Sequence, residues 1–153
     1  MRYFLYFCSM IDIKKIPDWW AVCPNEKCTV AETCLRHKVC KLLTQKYKYW
    51  LCVLPQAWEN TPCAYYQKTE KVTMARGFAR AFKGIGDRHV RSYLRLALTG
   101  YFGSKGSYYR YKNQERDINP KMQQEIRDIV RRYKPEADDI FDKTYEDYDF
   151  TNF

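Results

Sequence analysis

The spacing of apolar residues changes period several times along the chain, and each change marks an expected element. Met1 to Phe7 is apolar apart from Arg2 and suits a buried N-terminal strand. Pro17-Asp18-Trp19-Trp20 reads as a turn leading into a cysteine-rich stretch. Thr29 and Glu32 have the spacing of a capping box, in which hydroxyl and carboxylate satisfy reciprocal backbone donors, and they predict a helix running to about Gln45. Tyr47, Tyr49, Leu51 and Val53 then alternate with Lys48, Trp50, Cys52 and Leu54, the period of a strand, which Pro55 ends. A loop through Asn60-Thr61-Pro62 delivers Cys63. From Val72 the stripe Val72, Ala75, Phe78, Ala79 and Phe82 returns to a helical period and runs up to Gly84.

Three further helices carry local punctuation. Asp87 is placed to cap a helix with the apolar face Val90, Tyr93, Leu94, Ala97 and Leu98, and Gly100 to stop it. Ser104 is placed to cap a short helix reaching about Asn113, although Gly106 inside it costs about 1 kcal/mol relative to alanine. Asn119-Pro120 joins a cap to proline at the first helical position, ahead of the stripe Met122, Ile126, Ile129, Val130 and Tyr133, and Pro135 closes that helix. Aromatics three or four apart in the last residues, from Phe141 through Tyr145, Tyr148 and Phe150, suit a short terminal helix packed onto the body. The expected fold is α+β and mainly helical. It has a small cysteine-metal N-terminal part with one or two strands (1–70), a basic helical part (71–134) and an acidic aromatic tail (135–153), together one compact unit.

Composition narrows the classes. The 153 residues are 46% apolar and 17% aromatic, enough buried surface to exclude wholesale disorder. The apolar start is too short to span a bilayer and lacks a small-residue cleavage pattern, so neither a membrane nor an exported protein is expected. In a cytoplasmic, reducing compartment the seven cysteines favour metal ligation or burial over disulfides. The net charge of +9 is unevenly spread: residues 135–153 carry −6, leaving +15 on residues 1–134, a field that attracts phosphate polyanions.

Cys23, Cys28 and Cys34 lie within twelve residues, around the start of the expected helix, with Cys34 a turn and a half inside it. A structural zinc site needs four soft ligands converging at about 2.3 Å, and a helix N-terminus helps keep thiolates deprotonated. Spacing leaves the fourth ligand open among Cys63, Cys40, Cys52 and His37. Cys63 is preferred, because Cys52 falls in the expected apolar strand and Cys40 lies beside Leu43, as buried cysteines do. Four thiolates also hold an iron–sulfur cluster, which would make the protein a redox sensor, but no compact ferredoxin-like run is present and zinc is favoured.

Cys23-x4-Cys28-x5-Cys34-Leu35-Arg36, Cys63-Ala64-Tyr65-Tyr66, Ala75-Arg76-Gly77-Phe78, Tyr108-Tyr109-Arg110-Tyr111 with Glu115-Arg116, and Phe141-Asp142-Lys143 together resemble a family of small uncharacterised bacterial proteins, typical of gut anaerobes, that carry a domain of unknown function. The resemblance spans most of the chain and implies the same four cysteines. The family often has Cys-Pro where this chain has Cys63-Ala64, and Gly-Glu where it has Asn113-Gln114-Glu115. No activity comes with it.

The segment from Arg88 to Tyr133 resembles the helix-turn-helix of phage-type regulators, which implies that the short helix reads DNA. Lys105, Ser107, Tyr108, Arg110 and Lys112 are then the candidate contacts, with Arg88, Arg91 and Arg95 beside them on the preceding helix. DNA is preferred to RNA on that resemblance alone. An acidic protein docking on the same basic surface is the rival partner. His37 and His89 belong to no catalytic constellation, and the Gly-x-Gly turns lack the lysine and hydroxyl of a phosphate loop, so no enzyme is expected.

Overall fold

The computed structural model describes residues 11–59 and 63–152. The expected N-terminal strand at residues 1–7 lies outside them. The chain forms two compact units: one holds the residues up to Lys71 together with those from Phe150 onward, the other Val72–Asp149.

The first unit is built from short turns around one helix, α1 (Leu35–Leu43). Single 3-10 turns occupy Ile13–Lys15, Ala31–Thr33 and Pro55–Glu59. The expected turn at Pro17 forms, with the Trp20 N–H donating to the Pro17 carbonyl. The expected capping box does not: no side chain caps either the Ala31–Thr33 turn or α1, and Glu32 reaches instead toward Lys41. The helix begins late because residues 33–35 are drawn into extended pairing. Thr69 N–H donates to Thr33 O (2.8 Å), and Leu35 N–H donates to Gln67 O (2.6 Å). That pairing holds Cys34 extended at φ −88°, ψ 121°.

Residues 47–54 are likewise no strand. Among the described residues their one ladder contact is a bridge between Cys52 and Val22, and of the alternating set only Val53 is buried, while Tyr49 is 90% exposed. Trp20, Val22, Leu35, Val39 and Leu43 fill the core, with the Phe150 ring set edge-on against Trp20 at 5.1 Å.

The second unit carries the strands. β1 (Val72–Arg76) pairs antiparallel with β2 (Lys143–Asp147), Val72 opposite Asp147 and Arg76 opposite Lys143. The stripe from Val72 is therefore a strand followed by a 3-10 turn (Ala79–Phe82), not one helix. Gly77 separates them at φ +69°, a conformation that suits glycine and breaks a helix. The acidic tail supplies β2 in place of the expected terminal helix. Tail packing does hold, since Ile140, Phe141 and Tyr148 are buried.

Three helices complete this unit. α2 (Arg88–Tyr101) starts where expected, its first N–H groups donating to Asp87. It runs past Gly100 and stops before Gly103 at φ +76°. α3 (Lys105–Lys112) is capped by Ser104, and α4 (Pro120–Arg131) by Asn119 with Pro120 in its first turn. Buried Gln123 of α4 donates to Thr73 O and Ile118 O, fixing α4 to β1. Phe78, Leu94, Leu98, Tyr108, Ile126 and Val130 are at the centre of the core. The fold is thus α+β and mainly helical, and among the described residues its sheet lies in the second unit.

Candidate metal centre and basic face

Four cysteines share one neighbourhood in the first unit, each delivered by a different local device. Cys23 follows Val22, whose N–H and C=O bond Leu51 and Val53, and its own N–H donates to Arg36 O (3.2 Å). Cys28 sits in a turn organised by Asn25, which accepts from Lys27 N–H. Cys34 is the extended residue immediately before α1 rather than inside it, and Cys63 opens a turn closed by Tyr66 N–H. Burial raises the Cys23 thiol pKa above its ordinary value, a backbone bond from Asn25 opposes this, and the negative potentials of Cys34, Cys28 and Cys63 raise it further. Cys40 is raised by burial and then by Cys52 and Cys23. Cys23 thus feels Cys34, Cys28 and Cys63, and Cys40 feels Cys52 and Cys23; Cys40 is buried as expected, whereas Cys52 is exposed. Among the described residues no three His, Cys, Asp or Glu side chains stand as a ready metal-holding group. The thiols would have to turn to a common point to act as ligands.

Arg36, which the sequence did not single out as a site residue, and His37, one of the candidate fourth ligands, are built into this neighbourhood. Arg36 is 2% exposed and lies 4.5 Å over the Trp20 ring. It donates from Nε to Tyr65 O, from Nη1 to Ala21 O and from Nη2 to Asn152 O. Burial lowers its pKa, which the potentials of Cys34, Cys23 and Cys63 oppose. His37, also buried, has Nδ1 3.2 Å from Cys23 O. The one sequence signal for Arg36 was its place in Cys34-Leu35-Arg36.

The second unit sorts its cations into two sets. Arg76, Arg80 and Arg131 are ion-paired with Asp117, Asp139 and Asp138, so two tail carboxylates are engaged by the body. Asp142 accepts from the N–H groups of Ala79 and Arg80. Among the described residues no ion pair engages Arg88, Arg91, Arg95, Lys105, Arg110 or Lys112. Arg91 and Arg95 stand one turn apart on α2, and Lys112 places its ammonium 5.2 Å over Phe82 and 5.8 Å over Tyr108. Burial lowers the Lys112 pKa, and the positive potentials of Arg95 and Arg91 lower it further against Asp142. Arg91, Arg95 and Lys112 are thus brought together. Arg88, Lys105 and Arg110 are exposed, and Ser107 is half-buried with its N–H bonded to Ser104 Oγ.

Tyr108 is a correction. It is fully buried, edge-on to Phe78 at 5.6 Å, and belongs to the core rather than to a reading surface. Its hydroxyl closes no well-formed hydrogen bond, although Arg95 is near enough to oppose the rise that burial imposes on its pKa. A helix of eight residues must turn one side inward, and the aromatic there is Tyr108, leaving Tyr109 exposed in its place. No helix among the described residues is long and apolar enough to cross a membrane.

Fold and site together define a small α+β protein with cysteines gathered around α1 in one unit and, among the described residues, a basic helical face without ion pairs in the other. The chain belongs to the family of unknown function DUF6078, whose model matches residues 8–150. No curated protein and no solved structure matches it.

Proposed function

We propose that this is a metal-stapled nucleic-acid-binding protein, a small cytoplasmic DNA-binding regulator without catalytic activity. In this reading Zn2+ held by Cys23, Cys28, Cys34 and Cys63 fixes the first unit, a feature of the bacterial four-cysteine family, and the α2–α3 face of the second unit holds phosphates. The observation that carries it is the basic α2–α3 face, where among the described residues no ion pair engages Arg88, Arg91, Arg95, Lys105, Arg110 or Lys112. Like charges held together cost free energy that a polyanion relieves, and counterion release from the nucleic acid adds to the gain. The packing of α2 against both α3 and α4 supports the helix-turn-helix reading, with Lys105 and Arg110 exposed on α3.

Fluorescence anisotropy with duplex and single-stranded oligonucleotides across a salt series tests this. The affinity should fall steeply as salt rises, duplex should bind tighter, and Arg91→Ala with Lys112→Ala should lower the salt slope by about one per removed phosphate contact. No binding at low ionic strength by folded protein overturns the reading. A docking module for an acidic protein is the second reading, favoured by Leu96 (69% exposed) and Tyr93 (59%) on α2. Capture of one acidic partner that survives nuclease treatment would select it. An iron–sulfur redox sensor is the remaining use of the cysteines, and a visible absorption band from anaerobically purified protein would reveal it.

A further inference from the structure

The Arg36 guanidinium is buried, and the atoms it bonds are neutral. Its three hydrogen bonds, to Tyr65 O (3.0 Å), Ala21 O (2.5 Å) and Asn152 O (3.0 Å), all end on backbone carbonyls. Among the described residues no ion pair supplies it with a carboxylate. A guanidinium stays protonated in a protein, and a buried charge without a counter-charge costs several kcal/mol. Among the described residues, the groups whose negative potential opposes the effect of burial on Arg36 are the Cys34, Cys23 and Cys63 thiols and then the Tyr65 phenol.

Its placement follows the cysteines along the chain. Ala21 lies two residues before Cys23, Tyr65 two residues after Cys63, and Arg36 itself two residues after Cys34. One side chain therefore ties together the three separate segments that bear these cysteines. The Arg36 carbonyl adds a fourth tie by accepting from the Cys23 N–H. An arginine that only filled space would have no reason to gather those segments.

We infer that Arg36 is the positioning residue and built-in counter-charge of a divalent-metal centre whose ligands are the thiolates of Cys23, Cys28, Cys34 and Cys63. This rests on the metal reading above and deepens it. On binding, four thiols release four protons to solvent and form four metal–sulfur bonds, so the centre carries a net charge of −2. Arg36 brings this to −1 without a ligand of its own. His37, with Nδ1 3.2 Å from the Cys23 carbonyl, braces the loop that carries this cysteine.

The test uses the full chain, purified under reducing anaerobic conditions, with Arg36→Gln, Arg36→Lys, Cys63→Ser and Cys52→Ser variants. Zinc content is measured, and affinity is read by competition with a chromophoric chelator. Co2+ loading reports tetrahedral coordination and thiolate-to-metal charge transfer. Wild type and Cys52→Ser should bind one metal per chain with a four-thiolate cobalt spectrum, and Cys63→Ser should lose that spectrum. Arg36→Gln keeps donors but removes charge, and should weaken binding about 10- to 100-fold and raise the pH at which half the metal is retained. Arg36→Lys keeps the charge and should recover part of that loss. Wild-type protein that takes up neither Zn2+ nor Co2+ overturns the metal reading and this inference with it. Metal-loaded wild type with an unchanged Arg36→Gln affinity, or Arg36→Lys falling as far as Arg36→Gln, overturns the role of Arg36 alone. If Arg36→Gln fails to fold, Arg36→Lys decides: a loss under tenfold supports the counter-charge, and loss of the centre overturns it.

Discussion

Tyr101 donates to Glu125 Oε2 and Tyr145 donates to Asp117 Oδ1, and both hydroxyls are only partly open to water. Burial first, then the neighbouring carboxylate, holds each phenol well above its ordinary pKa. The fold thus favours the neutral phenol more strongly than the unfolded chain does. The stability this contributes is fully present below the unfolded value of about 10 and is lost as pH rises through the folded one. The urea midpoint should accordingly fall as pH rises above about 10, and Tyr101→Phe with Tyr145→Phe should flatten that fall. A midpoint equally steep in the double variant would show that other groups set the alkaline limit. Asp117 serves two partners at once, since Arg76 bonds the same oxygen.

At the scale of elements, the three caps of the second unit are the local interactions on which its helices depend. Asn119→Ala should cost about 1–2 kcal/mol, because its side chain is buried and accepts from Met122 N–H at 2.8 Å. Ser104→Ala should cost about 0.5–1 kcal/mol, since that cap is exposed to water. Urea denaturation followed by circular dichroism measures both, and equal losses would contradict the difference in burial. These caps were legible in the sequence because cap and capped N–H lie within three residues. β1 was not, because Val72, Ala75 and Phe78 fit a helical stripe, and the residue that settles the matter, Asp147 opposite Val72, lies far along the chain. The capping box failed for the same kind of reason: Gln67 and Thr69 claim the backbone of residues 33–35 before a helix can. The cysteine set was readable as spacing around a helix start, with Cys63 added to it by elimination. Arg36 escaped notice because its meaning lies in carbonyls 15 to 116 residues away. Tyr108 was misplaced because a short aromatic-rich helix does not announce which ring turns inward.

For the whole molecule, the two units offer separate spectroscopic handles. All four tryptophans, Trp19, Trp20, Trp50 and Trp58, belong to the first unit, whereas α2, α3 and α4 lie in the second. Tryptophan fluorescence therefore reports on the cysteine-bearing unit, and far-ultraviolet circular dichroism mostly on the helical one. With zinc bound as proposed, a strong chelator should lower the urea midpoint seen by tryptophan and leave the helical transition nearly unchanged, because a ligand stabilises the unit that binds it. Coincident transitions that shift together would show one cooperative body and contradict the expectation.

The hydrogen bond from Arg36 to Asn152 also sets an order of events during synthesis. Residues 72–149 emerge from the ribosome between the two partners and hold all the segments of the helical unit. That unit can close, β2 upon β1, while Arg36 still lacks its third carbonyl and Trp20 still lacks the Phe150 ring. The unit whose translation begins first thus gains its last contacts only after residues 150–152 have been made.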